Sequence, residues 1–177
     1  MDCICRYSSP LGGITIAGDG PELVGLWFDG QKYFPEIPES LQAGEPTPVL
    51  REAIRWLGLY FSGKEPDFMP PLRLNTTAFR KRVWEILLTI PYGKTMTYAQ
   101  IAERIAAERG IPRMSAQAVG GAVGHNSIAL IIPCHRVVGT DGSLTGYAGG
   151  LDRKLSLLKL EGAVPAGLYM PKSGSAR

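Results

Sequence analysis

Ile128-Ala129-Leu130-Ile131-Ile132-Pro133-Cys134-His135-Arg136-Val137-Val138 decides how the rest of this chain is read. The apolar run 128–132 has the length of a buried strand. Pro133 cannot donate to a sheet ladder, so it closes the strand. Cys134 is then expected at a strand end, on stiff backbone, with His135 beside it. A free thiol has a pKa near roughly 8.5 and attacks well only as the thiolate. His135 is the nearest group able to activate it. On these residues alone a second reading stays open. A free cysteine is often a small buried hydrophobe, and neighbours on an extended strand point to opposite faces.

The surrounding composition narrows the choice. The chain has 177 residues, 45% hydrophobic and 20% charged. That is an ordinary globular balance, and the length allows one large domain or two small ones. No apolar run is long enough to span a bilayer, and no basic segment followed by an apolar core opens the chain. A membrane protein and a secreted precursor are both disfavoured. Cys3, Cys5 and Cys134 give no disulfide framework and suit a reducing, cytoplasmic setting. Cys3 and Cys5, with His125 and His135 as the two histidines, fit a four-ligand structural zinc site poorly. They read as strand residues, and no metal is expected.

The net charge of +3 hides an asymmetry. Residues 1–72 carry 5 Lys and Arg against 10 Asp and Glu, a net of −5; residues 73–177 carry 14 against 6, a net of +8. A basic half of this kind is suited to a polyanion.

Upstream, residues 11–17 alternate as a strand, and Leu23-Val24-Gly25-Leu26-Trp27-Phe28 reads as a second. Gly18-Asp19-Gly20-Pro21 supplies the turn between them. Thr47 and Pro48 suit the cap and first position of a helix carrying Val49, Leu50, Ala53, Ile54, Leu57 and Phe61. Residues 63–71 read as a linker at the charge reversal. A helix over 77–89 then buries Phe79, Val83, Ile86 and Leu87. Thr97 and Gln100 form a capping box for a helix that ends at Gly110. Ser115 can cap the next helix, 116–123, which is almost entirely small residues. The pair fits a helix-turn-helix. Its glycines admit either a closely packed neighbouring helix or close approach to nucleic-acid backbone. A glycine-rich loop, 139–150, lacks the ending of a P-loop. A final helix over 152–160 closes at Glu161-Gly162. The expected division is 1–72, 73–162 and a mobile tail, 163–177.

With these features in order, the chain resembles the O6-alkylguanine-DNA alkyltransferases. Ile132-Pro133-Cys134-His135-Arg136-Val137-Val138, Ile90-Pro91-Tyr92-Gly93-Lys94-Thr95 and Ala118-Val119-Gly120-Gly121-Ala122 carry the resemblance most specifically. It is close over 73–162 and weaker over Ser9-Pro10-Leu11-Gly12 and residues 26–34. The resemblance implies an α+β protein: a small N-terminal antiparallel-sheet domain of ribonuclease-H-like fold, plus a mostly helical C-terminal domain containing the helix-turn-helix.

It also implies direct-reversal repair. An alkyl group on guanine O6, and by extension on thymine O4, moves to Cys134 once per molecule, with no cofactor. His135 would act through a water and be oriented by Glu161, which otherwise reads as a helix-end acid. Tyr98, otherwise a core aromatic, would give the departing guanine a proton. Asn126 would be the hinge between the DNA-reading helix and the nucleophile. Tyr147 would pack on the alkyl group, the Ala148 amide would face O6, and Lys154 would line the pocket. The carbonyls of Cys134 and Val137 would read the guanine amino group.

The implied partner is double-stranded DNA carrying O6-alkylguanine, met by a monomer, with clustering on DNA left open. DNA contacts are expected at Arg113, Ser115, Ala116, Gln117, Ala118, Gly121 and Arg136. The target base must be flipped out of the stack, and small residues suit a helix entering the narrow minor groove. Two positions depart from the family pattern. Gln117 stands where the best-known members carry an intercalating arginine, and Ser127 stands where proline commonly follows the asparagine. The competing readings are a non-catalytic binder of alkylated DNA, disfavoured by retention of Cys134, and a cysteine hydrolase, disfavoured by the shortage of histidines.

Overall fold

Short turns at Pro10-Leu11 and Gly20-Pro21 reverse the chain twice, and the strands they join form an antiparallel sheet. β1 (Cys3–Ser9), β2 (Gly12–Asp19) and β3 (Glu22–Phe28) lie in that order, with β2 central. The register sets Cys5 opposite Ile16 and Ile16 opposite Leu26. The computed structural model describes residues 1–41, 43–164 and 167–169. These fall into two units: Met1–Asn75 with Ser127–Ile131, and Thr76–Asn126 with the described residues from Ile132 onward.

In the first unit, α1 (Pro48–Phe61) buries Val49, Leu50, Ala53, Trp56, Leu57 and Tyr60. Each large apolar side chain taken fully out of water contributes roughly 1.5–3 kcal/mol. Trp27, Ile4 and Ala17 form a further cluster, packed by Val24, Phe34, Ile37 and Leu41. Thr47 occupies the cap position of α1, but its side chain makes no cap bond. The hydroxyl instead lies 3.6 Å from Cys3 Sγ. Residues 71–73 pair with Leu23: Leu23 N–H donates to Pro71 O (2.7 Å) and Arg73 N–H to Leu23 O (2.9 Å). The Arg73 guanidinium binds Asp19 and Glu22.

The apolar run 128–132 is not the strand its composition predicts. Leu26 N–H donates to Ser127 O and Ala129 N–H to Leu26 O, both at 2.9 Å, and the pairing then stops. Leu130 takes φ 70°, a left-handed conformation that breaks an extended chain. The run is apolar because residues 128–132 are buried throughout, and burial alone cannot distinguish a strand from a tight buried turn. Cys134 therefore sits not at a strand end but in a single 3-10 turn, Cys134–Arg136.

In the second unit, α2 (Ala78–Leu87) is capped by the Thr77 side chain, which accepts from Arg80 N–H. β4 (Met96–Thr97) leads directly into α3 (Tyr98–Arg109), whose Thr97–Gln100 capping box is complete. Gly110 ends α3 in the left-handed conformation, where a side chain is disfavoured. α4 (Ala116–Gly124) is capped by Ser115, whose Oγ accepts from Ala118 N–H at 3.2 Å. Trp84 on α2 anchors α4 by donating Nε1–H to Ala122 O at 2.9 Å.

β5 (Val137–Val138) pairs in parallel with β4, and α5 (Leu151–Leu160) follows the glycine-rich loop. Of the predicted mobile tail, 163–164 and 167–169 are described, and Ala163 and Leu168 among them pack. Ala163 and Leu168 join Val138, Leu144 and Leu158 in one cluster. Tyr169 N–H donates to Gly142 O and its carbonyl accepts from Leu144 N–H. Apolar Ala163 and Leu168 supply the burial that a count of Pro, Gly and Ser overlooks. The remainder of the tail lies outside the described residues. Among the described residues, no helix is long and apolar enough to cross a membrane.

Candidate active site

The 3-10 turn Cys134–Arg136 points three chemically distinct side chains into the second unit. Cys134 is 5% exposed and His135 fully buried. The Asn126 side chain, two residues past α4, donates Nδ2–H to Ile132 O (2.8 Å) and to Cys134 Sγ (3.1 Å). One amide thus ties the end of α4 to the segment carrying the thiol. Behind the thiol, His135 Nε2 lies 2.7 Å from Glu161 Oε1. A carboxylate only accepts, so Nε2 carries the hydrogen, and Nδ1 is the ring nitrogen left to take a proton.

Glu161, at the C-cap of α5, is held by more than the imidazole. Arg136 donates Nε–H to Oε2 (2.9 Å) and a second N–H to Oε1 (3.1 Å), and a third bond reaches Ile90 O (2.7 Å). Gly93 N–H adds a contact at 3.4 Å. This corrects the expected placement of Arg136 at DNA. Its residue is 9% exposed, and its guanidinium is spent on a buried carboxylate rather than turned to solvent. A cation beside a basic motif reads as a phosphate contact, and the sequence carries no sign that it points inward.

Burial sets the protonation states. It pushes the Cys134 thiol up, against the opposing pull of the Asn126 hydrogen bond and the Lys154 charge. It pushes His135 down, against its bond to Glu161. For Glu161 burial also acts upward, but the His135 and Arg136 hydrogen bonds and the guanidinium charge outweigh it and hold the carboxyl at about 2. The resting centre is therefore a thiol, a neutral imidazole and an ionised carboxylate.

A second group faces Cys134. Tyr98, at the start of α3, donates its hydroxyl to Thr145 O at 2.9 Å. Lys154, fully buried on α5, donates Nζ–H to the same carbonyl at 2.8 Å. Burial brings Lys154 down to about 8, and a thiolate at Cys134 pulls it back up. Burial also pushes the Tyr98 phenol up, with Cys134 adding to the rise. Gly146 allows this arrangement. It takes φ 72°, and a Cβ there would lie 2.9 Å from Tyr98 Oη. Nothing in the residue types marks Thr145 as the shared acceptor, because a backbone carbonyl has no residue signature. Tyr147 is buried and Ala148 half-buried on the same loop. Val137 N–H donates to Cys134 O, leaving that carbonyl one lone pair for a further donor.

The expected DNA contacts Arg113, Ser115, Ala116, Gln117, Ala118 and Gly121 are all exposed, while Val119, Ala122 and Val123 of the same helix are buried. A Cβ on Gly121 would meet nothing within 4 Å, and one on Gly120 would stand in ordinary contact with Tyr98. The small residues at these two positions are therefore not required by a tightly packed neighbour among the described residues. An open depression of about 640 Å³ lies beside this face, lined by Ala102, Glu103, Arg113, Met114 and Ser115 among others.

The chain matches known proteins over most of its length. Residues 78–163 match the family profile for the DNA-binding domain of 6-O-methylguanine DNA methyltransferase. Residues 6–74 match the profile for its ribonuclease-like domain. The chain is 46% identical over 153 residues to a methylated-DNA–protein-cysteine methyltransferase of Mycolicibacterium paratuberculosis, covering 86% of this chain and 88% of that one. It is 50% identical over 153 residues to the protein of that name from Methanosarcina barkeri, covering 86% and 92%. Among solved structures it resembles Mycobacterium tuberculosis OGT in complex with DNA, with a TM-score of 0.78 at 42% identity over 93% and 96% of the two chains. The chain belongs to the methylated-DNA–protein-cysteine methyltransferase family, whose members reverse DNA damage directly by moving an alkyl group onto one of their own cysteines.

Proposed function

We propose that this protein removes the alkyl group from O6-alkylguanine in duplex DNA, with Cys134 as the acceptor, and that each molecule acts once. The observation that carries the reading is the Asn126 amide, 3.1 Å from Cys134 Sγ, at the end of a helix with an exposed face of small residues. It links a reactive centre to a surface able to meet a DNA groove. We read α3 and α4 as a helix-turn-helix, with α4 entering the minor groove, and the N-terminal unit as a ribonuclease-H-like scaffold.

In this reaction the Cys134 proton passes to His135 Nδ1 through a water, and the imidazolium is stabilised by Glu161. The sulfur attacks the alkyl carbon, so the S–C bond forms as the C–O6 bond breaks and its electron pair stays with guanine. Tyr98 delivers a proton to the departing base and recovers one from solvent. The Tyr147 ring packs on the alkyl group, the Ala148 N–H faces O6, and the carbonyls of Cys134 and Val137 accept from the guanine amino group. Lys154 adds positive charge beside the sulfur. Gln117 fills the gap left by the flipped base, and Arg113 contributes charge at the backbone. O4-alkylthymine is expected to react by the same displacement.

Titrating the protein with duplex containing O6-methylguanine tests the reading. Guanine restored should plateau at one equivalent per protein, and Cys134→Ser should restore none while still binding the duplex. Continued turnover, or methyl removal by Cys134→Ser, contradicts it.

A further inference from the structure

Tyr169 lies beyond residues 78–163, the stretch that matches the family profile, yet it is bonded to the glycine-rich loop. Its N–H donates to Gly142 O (3.1 Å) and its carbonyl accepts from Leu144 N–H (3.0 Å), which makes a parallel bridge with Ser143. Its hydroxyl donates to Asp141 Oδ2 (3.0 Å), and Oδ1 of the same carboxylate accepts from Ser143 N–H (3.0 Å). The backbones approach closely. A Cβ on Gly142, which takes φ 84°, would lie 2.8 Å from Gly167 O. Leu168 and Ala163 pack in one cluster with Val138, Leu144 and Leu158. These contacts meet the supports of the reactive centre from two sides. Ala163 stands two residues after Glu161, whose carboxylate is 2.7 Å from His135 Nε2, and Val138 stands three residues after His135. Leu144 directly precedes Thr145, whose carbonyl accepts from Tyr98 and Lys154.

We infer that Tyr169 is a positioning residue for alkyl transfer: by pairing with residues 142–144 it straps the chain after α5 to the loop, and so holds Glu161 against His135 and Thr145 O against Tyr98 and Lys154. This rests on the reading of Cys134 as acceptor and adds the segment that keeps its supporting groups in place. Chain beyond a last helix is poorly ordered unless it is tied down, and here the tie is made to the loop itself. Tyr169 acts through those bonds and touches none of the reacting atoms. A misplacement of about 1 Å, even from a change far from the chemistry, costs up to about 100-fold in rate. The backbone bonds carry the strap. The side chain, on a residue 48% exposed, adds one bond at the surface.

The test separates rate from affinity in the 177-residue chain. Single-turnover methyl transfer is measured at saturating duplex carrying O6-methylguanine, and duplex affinity by fluorescence anisotropy, for the wild type, Tyr169→Pro and Tyr169→Phe. Proline deletes the N–H that Gly142 O accepts, whereas phenylalanine keeps both backbone bonds. Tyr169→Pro should transfer about ten-fold more slowly, the order expected for one lost backbone bond, and Tyr169→Phe should stay within about two-fold of the wild type. Affinity should be unchanged in both, because the exposed face of α4 is not altered. A second pair covers a proline variant that fails to fold. Asp141→Ala, which removes the acceptor of the Tyr169 hydroxyl and Ser143 N–H, should slow transfer about three-fold, and Asp141→Asn, which can still bond both, should restore it. An unchanged rate in Tyr169→Pro, a rate and an affinity that fall together, or equal rates in the two Asp141 variants overturns the inference while leaving Cys134 as acceptor. A wild type that leaves the methyl group on guanine overturns both.

Discussion

At rest Cys134 is a thiol and His135 is uncharged, because each would lose solvation on ionising. The thiolate has to be made when substrate is present, by moving one proton a short way onto an imidazole already backed by a carboxylate. Arg136 makes this workable. It balances the Glu161 charge without placing a proton on His135, so the imidazole stays uncharged and able to accept one. The arrangement has a consequence in acid. Glu161 is held at about 2, against an ordinary value of 4.5. Its ionised form therefore stabilises the fold fully above pH 4.5, and this contribution disappears as pH falls toward 2. Urea-denaturation curves of the wild type and Glu161→Gln should differ most above pH 4.5 and converge as pH approaches 2. A constant gap across that window would mean that the Glu161 charge is not what Arg136 and His135 hold. Cys134 and His135 stand out in the sequence because their residue types carry chemistry, whereas Glu161 entered only through the family resemblance, since alone it reads as a helix-end acid. The residue pattern misplaces Arg136 because five guanidinium donors serve a phosphate or a buried carboxylate equally well.

The elements that hold these residues were legible to the extent that their ends carry local chemistry. Thr97 with Gln100 and Ser115 with Ala118 N–H are short-range bonds between residues three apart, so the sequence displays them. The run 128–132 was not legible, since five buried apolar residues look alike whether extended or turned, and nothing marks Leu130 for φ 70°. The small residues of α4 left two explanations open, and the geometry discriminates between them at Gly121, where a Cβ meets nothing within 4 Å. Gly121→Ala should accordingly raise stability by up to about 1 kcal/mol, the usual helix advantage of alanine. Gly121→Leu should leave the melting temperature close to wild type yet weaken duplex binding several-fold. Thermal denaturation and fluorescence anisotropy check the two halves. A Leu variant that binds normally would remove α4 from the DNA surface.

Across the whole molecule, charge and covalent arrangement separate. The acidic residues 1–72 carry a net of −5 and the remainder +8, and the exposed Arg113 lies on the basic side. Affinity for duplex should therefore fall with salt, and Arg113→Ala should reduce the slope of log K against log salt by about 1. An unaltered slope would place Arg113 away from phosphate. The charge reversal near residue 73 is visible in residue types, but the return of Ser127–Ile131 to the first unit is not. That return depends on two backbone bonds to Leu26, and such bonds leave no trace in residue type. The whole account depends on where the alkyl group goes. Mass spectrometry of peptides from protein mixed with a duplex carrying one O6-methylguanine measures that directly. One methyl group on the peptide containing Cys134, and none on those containing Cys3 or Cys5, is the predicted result; a repaired duplex with Cys134 unmodified would contradict it.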